Sequence, residues 1–574
     1  MKTLKYLMFG LILISWGCKK TDEFLTKQPL DQFTDDTYWT SEGNVRTFAF
    51  GFYPTYFPGY ASGFDLSWGG YFSGESLNDD FAPLTPTTFT KNVPATDVAT
   101  GGWTDGFKNI RKANLFIDRI KKVPMPDEAI KHWTGVARFF RALEFASKVK
   151  KYGDFPWYGK VLAETDVKEL YRPRDPRTMV MDSVLADFNY AAANVRTADA
   201  ATGPQGLVVN KSVVLAFMSR VFLFEGNWEK YQANNAAKAT EYLTAAKNAA
   251  NEVITKGGYS VAPDYRKLFN SLDLSTNTEI ILYRKYQTGL LTHSLNSYVN
   301  KEVQTGASKN AIESYLCKDG LPISVSPLYK GDKTIANVMT DRDPRIAATF
   351  VPAIRLNGVV SNYSSSGYAV LKFFNEDIKD LTDGNSSLND TQAPVIRFGE
   401  ILINYAEASA ELGTLTQNDL DISINKLRKR TGINMPALQV MGGQPAVNGN
   451  VYDDPKRDPT VSSLLWEIRR ERRTELMMEG FRNDDLRKWK KYQYLDTQGN
   501  PDINLGAWIN RADYPKTLSV ATQNNAASGY VVPATKAETQ RIFNDPKVYL
   551  APLPLDQIKL YKDQGVDLKQ NPGW

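Results

Sequence analysis

The clearest chemistry in this 574-residue chain stands near its start. Gly17-Cys18 closes an apolar run, Leu7 to Trp16, that follows the basic Lys2 and Lys5. A basic start, a short apolar core and a small residue before a cut site describe an export signal. The run is about half the ~20 residues that a membrane-spanning helix needs. Cleavage before Cys18 would present a thiol and a free amino group for acylation, and several acyl chains together anchor a protein stably. Residues 1–17 are therefore expected to be removed and Cys18 to carry lipid. Ser15 and Trp16 depart from the usual lipoprotein pattern, so an ordinary signal peptide with an incidental cysteine is the alternative. Asp22-Glu23 is a loose match to an acidic surface-export tag.

Other reactive groups are few and scattered. The two histidines, His132 and His293, have no second His or Cys nearby, so neither zinc nor haem spacing occurs. No metal and no cofactor is expected. His132, beside Trp133 early in a helix, reads as a surface or capping residue. No phosphate loop, dinucleotide fingerprint or nucleophile elbow occurs. Asp79-Asp80 and Asp484-Asp485 pair carboxylates in sequence, but glycoside hydrolysis needs two carboxylates at a set separation across the scissile bond, which adjacency does not provide. The chain is therefore read as a non-enzyme. The run 467–475 (EIRRERRTE) holds four Arg and three Glu, which pair across helical turns. It reads as a salt-bridged structural helix. Removing residues 1–17 lowers the formal charge from +5 to +3, so nucleic acid is not an expected partner. With Cys18 lipidated, Cys317 is left alone and no intrachain disulfide is possible; it is read as a semi-buried, inert thiol.

Binding chemistry is better represented. The 11 Trp and 29 Tyr supply flat apolar faces with polar tips, which suit sugars, peptides and protein interfaces. The stretch 59–103 is rich in Gly, Ser, Pro, Thr and aromatics, and long loops of this kind are often functional. Within it, Asp65, Trp68 and Tyr71 combine rings with a carboxylate beside flexible Gly69-Gly70. Asn78, Asp79 and Asp80 add polar partners, and Trp103 closes the excursion. A second candidate surface is formed by Tyr298, Tyr315, Cys317, Tyr363 and Tyr368 in the middle layer. The competing reading is that each of these rings packs the fold.

Helices must carry these loops. Apolar positions three or four apart predict a helix over 126–152, with Trp133, Val136, Ala137, Phe140 and Leu143 on one face. Others are expected from Ser41 to Phe52, 103–122, 175–195, 210–225, 234–256, 395–412, 418–429 and 460–492. These are helix–loop–helix units of roughly tetratricopeptide size without a clean consensus. Residues 258–395 lose the periodicity and hold β-prone runs such as Glu279 to Tyr283. Residues 499–548 read as loop. The expected fold is mainly α: one domain over 18–574, with helical scaffold at 41–258 and 395–492 and loop-rich parts at 59–103, 258–395 and 499–548.

Several segments, in order, resemble the SusD/RagB family of outer-membrane nutrient-binding lipoproteins. They are Phe24-Leu25 with Pro29 after the lipoprotein start; GVARFFRAL at 135–143 leading into YGDFPW at 152–157; ESYLCKDGLP at 313–322 and DRDPR at 341–345. Arg397 to Gly413 follows, with NYAEA at 404–408, then INKLRKR at 424–430, IRRER at 468–472, and Glu475-Leu476. Glu479-Gly480-Phe481-Arg482, Asp485-Leu486, Trp489 and Asn571-Pro572-Gly573 complete the set. The resemblance implies a tetratricopeptide-like helix-pair scaffold under an irregular, loop-rich ligand face with short strands. It implies a lipid-anchored outer-membrane protein facing the exterior, which captures a glycan and delivers it to a SusC-like TonB-dependent transporter. A peptide-capturing protein of the RagB type is the alternative. The motif residues Arg138, Glu407 and Glu471 are read as scaffold pairs. Ligand contacts vary in such proteins, so the candidates above rest on their chemistry and not on motif positions.

Overall fold

The computed structural model describes residues 35–61, 78–86, 88–89, 91–98, 102–198, 206–536 and 541–574. Asp65, Trp68, Tyr71, Cys18 and the signal segment lie outside the described residues.

Helix pairs dominate the first half. α1 (Glu42–Phe50) is capped by Ser41, whose side chain accepts from the Asn44 N–H. α2 (Trp103–Ile120) packs on α3 (Asp127–Tyr152), and α3 packs on α4 (Arg177–Asn194). α5 (Lys211–Tyr231) and α6 (Ala236–Lys256) form the next pair, each opened by an asparagine side chain that accepts an orphan backbone N–H. α7 (Phe398–Glu411) lies against α5 and α6 and carries α8 (Ser463–Glu475) on its other side, followed by α9 (Arg482–Lys488). α3 stops at Gly153, whose φ of 77° is a conformation that glycine adopts without a Cβ clash. This tetratricopeptide-like stacking buries one continuous apolar core that runs from Phe52, Phe116, Phe140 and Phe217 to Ile401 and Ile468.

The loop-rich layer has a core of its own, around Tyr265, Phe269, Tyr315, Phe350, Phe373 and Met477. Short antiparallel pairs stitch it: β1 (Phe81–Ala82) with β3 (Gly306–Ala307), and β2 (Ile280–Arg284) with β4 (Ala393–Arg397). The helix expected over 395–412 therefore begins at Phe398. Pro394, Val395 and Ile396 belong to β4, whose pairing with β2 joins the layer to α7. The helix expected over 460–492 is divided, because Met478 and Gly480 take positive φ (65° and 82°) between α8 and α9. That over 418–429 is likewise two short helices, Gln417–Asp421 and Ile424–Arg428.

Two sheets had not been anticipated. β5 (Gln439–Met441), β6 (Gln444–Val447) and β7 (Asn450–Val451) make a meander, and β8 (Trp508–Asn510) pairs with β9 (Ser528–Tyr530). Among the described residues, no helix is long and apolar enough to cross a membrane.

Candidate ligand-binding cleft

α8 positions three sets of charges because a helix repeats a face every three or four residues. Glu471 and Glu475 point into the loop-rich layer. There Arg345 reaches Asp343, Glu471 and Glu475 at 2.7, 2.7 and 2.9 Å. Arg428 donates to Glu471, Arg430 to Glu279 and Glu475, and Arg397 to Glu279, Glu475 and Glu479. Burial alone would raise the Glu475 carboxyl, but Arg430, Arg397 and Arg345 outweigh it and hold it down at about 2. Arg469 and Arg472 face α7 and α9, meeting Glu411 at 2.8 Å and Asp485 at 2.8 Å. The run at 467–475 is thus a structural helix, as its charge pairing implied, and Glu407 and Glu471 are scaffold partners. Arg138 stacks on the Tyr190 ring and approaches Asp187, while Arg141 makes the bidentate pair with that carboxylate.

The third face, Trp466, Arg470 and Arg473, opens onto a cleft of about 810 Å³. Arg470 pairs with Asp454 and Glu467. Arg473 donates to Asp80 at 2.7 Å and to Asn310 at 2.8 Å. Arg482, from α9, binds Asp79 through two bonds of 2.6 Å. Burial pushes the Asp79 carboxyl up, but Arg473 and Arg482 overcome it and keep it well below the usual carboxylate range. The segment at 78–80 is therefore clamped to α8 and α9, and Asp79 forms part of the cleft wall.

Three further segments complete the lining. Asn310, Glu313, Ser314 and Tyr329 come from the loop-rich layer, Asp454 to Pro459 from the stretch before α8, and Tyr494, Asn500 and Asp502 from the stretch after α9. The rings of Trp466, Tyr494 and Tyr329 are half-buried, each keeping part of its surface open. Tyr494 donates its hydroxyl to Asp458 at 2.5 Å, and Lys491 meets the same carboxylate at 2.6 Å. Lys309 bridges Glu313 and Asp502 at 2.6 and 3.1 Å. Burial raises the Glu313 carboxyl, with Lys309 opposing. Flat rings thus stand among amides and carboxylates that are each held by a cationic side chain. Such an arrangement can stack a ring-shaped ligand and exchange hydrogen bonds with its hydroxyls.

The residues singled out from sequence divide sharply. Asp80 is buried and committed to Arg473. Trp103 is fully buried, packed by Phe107, Tyr152 and Phe155 at 4.7–5.5 Å between ring centres, so it serves the core. Tyr315 is also fully buried, its hydroxyl donating to Thr349 at 3.3 Å. Tyr298 is buried and accepts the Thr305 N–H at 3.1 Å. Tyr368 is buried in the same layer, and Tyr363 is half-buried outside the cleft lining. Trp103 thus packs the helical core, and Tyr298, Tyr315 and Tyr368 fill the interior of the loop-rich layer, which lacks regular ladders and needs large rings there. Cys317 is fully buried and burial raises its thiol, so it is less accessible than the semi-buried state expected. His132, read as a surface or capping residue, is instead buried within α3, and its Nδ1 accepts the Arg196 N–H, just past the end of α4, at 3.1 Å. Trp466, Tyr494 and Tyr329 were not anticipated. Nothing local marks them, since the lining converges from segments hundreds of residues apart.

Among the described residues, no group of three or more His, Cys, Asp or Glu could hold a metal ion.

The profile of the SusD family matches residues 270–574. SusD-like protein P38 of Formosa agariphila is 23% identical over 497 residues, covering 84% of this chain and 90% of its own. SusD-like protein P25 of the same organism is 22% identical over 520 residues, covering 83% and 88%. Among solved structures, a SusD-like carbohydrate-binding protein from Bacteroides fragilis superposes with a TM-score of 0.65 at 22% identity, over 91% of this chain and 99% of that one. A laminarin-binding SusD-like protein superposes at 0.56 with 16% identity, over 93% and 100%. The matched profile takes in most of the loop-rich layer, α7 to α9 and all of the cleft lining except Asp79, and on that match the chain belongs to the SusD family.

Proposed function

We propose that this protein captures a glycan in the cleft beside α8 and hands it to a SusC-like TonB-dependent transporter, acting as a binding protein and not as an enzyme. The observation that carries the reading is the lining itself: the half-buried rings of Trp466, Tyr494 and Tyr329, set among amides and ion-paired acids around a cleft of about 810 Å³. Sugars offer C–H faces to rings and hydroxyls to such groups, and sites of this size suit small ligands. Asp79, Asp454 and Asp458 are each tied to a cation, which suits acceptors of hydroxyl protons better than proton donors. The names of the relatives point the same way. Asp65, Trp68 and Tyr71 remain proposed contacts, because their segment rejoins the described chain at Asn78, next to Asp79 in the cleft wall.

Native affinity gels test this. The soluble chain 19–574 is run through α-glucans, laminarin, fructans, xylans, mannans, pectins and host glycans. Retardation by one class supports glycan capture and identifies the ligand; free migration through all of them would turn the reading towards peptides. For the anchor, we propose lipid on Cys18 at the outer membrane, with the protein facing the exterior. Cys18→Ala should then release a folded protein from the membrane fraction, and a variant that still sediments with membranes would remove the lipid from the account.

A further inference from the structure

The β8–β9 hairpin carries a second set of sugar-compatible side chains beyond the cleft. In a strand, alternate residues face opposite sides. Ile509 points inward and is buried with Leu356 and Val531. Trp508 and Asn510 therefore share the other face. Their cross-strand partners are Tyr530 and Ser528, so one surface of the hairpin holds two rings side by side and, next to them, an amide and a hydroxyl. Trp508, Tyr530 and Asn510 are half-buried, and Ser528 is exposed. Asn510 and Ser528 are 3.2 Å apart at their side-chain oxygens, with the Ser528 hydroxyl donating.

This face adjoins the cleft. Lys309, whose partners Glu313 and Asp502 line the cleft, stands 5.1 Å from the centre of the Tyr530 ring. Tyr530 donates its hydroxyl to Asp332 at 2.6 Å. Asp332 follows Tyr329, the cleft-lining ring, by three residues in one loop. The order along the surface is thus cleft, Lys309, Tyr530, Trp508. One flexible side chain covers the two rings: Lys333, whose ammonium lies 5.3 Å from the Trp508 ring and 4.8 Å from the Tyr530 ring. It is 58% exposed, and its salt contact to Asp332, at 3.9 Å, is long. Such a contact is weak enough for a ligand to displace.

We infer that Trp508, Tyr530, Asn510 and Ser528 form an outer subsite that holds the continuation of a polysaccharide whose inner sugars occupy the cleft. The inference rests on the glycan reading above. Lys333 moves aside, a sugar ring stacks on Trp508, and Asn510 and Ser528 exchange hydrogen bonds with its hydroxyls. The outer subsite thereby favours long chains over short ones.

The test compares the purified mature chain with Trp508→Ala, and with the double variant Asn510→Ala/Ser528→Ala, on gels containing soluble neutral polysaccharides: laminarin, dextran, xylan, galactomannan and inulin. For whichever polymer retards the wild type, Trp508→Ala should weaken retention by about tenfold, the worth of one stacked ring. The disaccharide unit of that polymer, titrated by calorimetry, should bind wild type and variant alike. The double variant should lose retention while its melting temperature moves by only a few degrees, the cost of the Asn510 bonds to Ala512 and Asp513, which decides the matter should Trp508→Ala destabilise the hairpin more. Unchanged retention in both variants would overturn the outer subsite while leaving glycan capture standing. Equal loss for disaccharide and polymer would overturn it too, by placing Trp508 at the inner site. Free migration of the wild type through these gels and through the wider panel above would remove the glycan reading and the subsite with it.

Discussion

Two faces of α8 use the same residue types to opposite ends. On the inner face, Glu471 and Glu475 sit with Arg345, Arg397, Arg428 and Arg430, all at 2% side-chain exposure or less. On the cleft face, Arg470 and Arg473, joined by Arg482 from α9, pair with Asp454, Asp80 and Asp79 at about 10% exposure on the arginine side. The pairings are equally close, but their surroundings differ. A buried pair is costly to break because the survivor keeps its charge without water. A pair at the edge of a cleft can be rehydrated, and its remaining lone pairs can serve a ligand. Charge composition therefore says little about role here. What separates scaffold from site is whether solvent reaches the group.

The sharpest way to break this comparison is to remove the hub of the inner face. Glu475→Gln leaves three buried guanidiniums short of one counter-charge, and stability should fall by roughly 3–5 kcal/mol, or the protein should fail to accumulate. Thermal or denaturant unfolding measures it, and a variant as stable as the wild type would show that water reaches the inner face.

A smaller effect is expected at His293, a buried group satisfied without any ion pair. Its Nε2–H donates to the Thr391 carbonyl at 2.8 Å, and Nδ1 accepts the Leu295 N–H at 3.1 Å. Burial lowers its pKa to about 3, against a weaker upward pull from the bond to Thr391. Between that value and about 6.5 the unfolded chain binds the proton more tightly. The stabilisation is therefore complete above pH ~6.5 and is lost as the pH falls towards 3. Acidification from pH 7 to 5 should cost about 2 kcal/mol through this residue. Over that range the wild type should therefore lose about 2 kcal/mol more stability than His293→Gln, whatever the other groups contribute to both, and identical pH dependence of the two would contradict the assignment.

On the cleft face the balance reverses, with binding more sensitive than stability. Trp466→Ala or Tyr494→Ala should weaken ligand retention by about tenfold, the worth of a lost ring contact, while moving the melting temperature by only a few degrees. A large stability loss with intact affinity would return these rings to the scaffold. The smallest effect belongs to Arg457 at the rim, paired to an Asp453 that is 52% exposed. Arg457→Ala is expected to change stability by less than ~1 kcal/mol.

Much of the scaffold could be read from the sequence because helical periodicity is a local signal. α3 was evident from Trp133, Val136, Ala137, Phe140 and Leu143, and β2 from the run at 279–283. The meander at 439–451 was missed although its turns were written in the chain. Gly442-Gly443 and Asn448-Gly449 all take positive φ, the conformation that two-residue hairpin turns demand. The cleft was harder for a physical reason. Trp103 and Trp466 both stand near the start of a helix, yet one is sealed by Phe107, Tyr152 and Phe155 and the other opens to a ligand-sized space. Which tryptophan is sealed depends on chain segments far away in sequence, and no local pattern reports it.

The central claim is that the open rings of the cleft hold a glycan. Its most direct test is affinity electrophoresis of the double variant Trp466→Ala/Tyr494→Ala beside the wild type, in the polysaccharide that best retards the wild type, with melting curves run in parallel. The account predicts a retarded wild type and a double variant that runs as in an empty gel while unfolding within a few degrees of it. Equal retardation of the two proteins would contradict it.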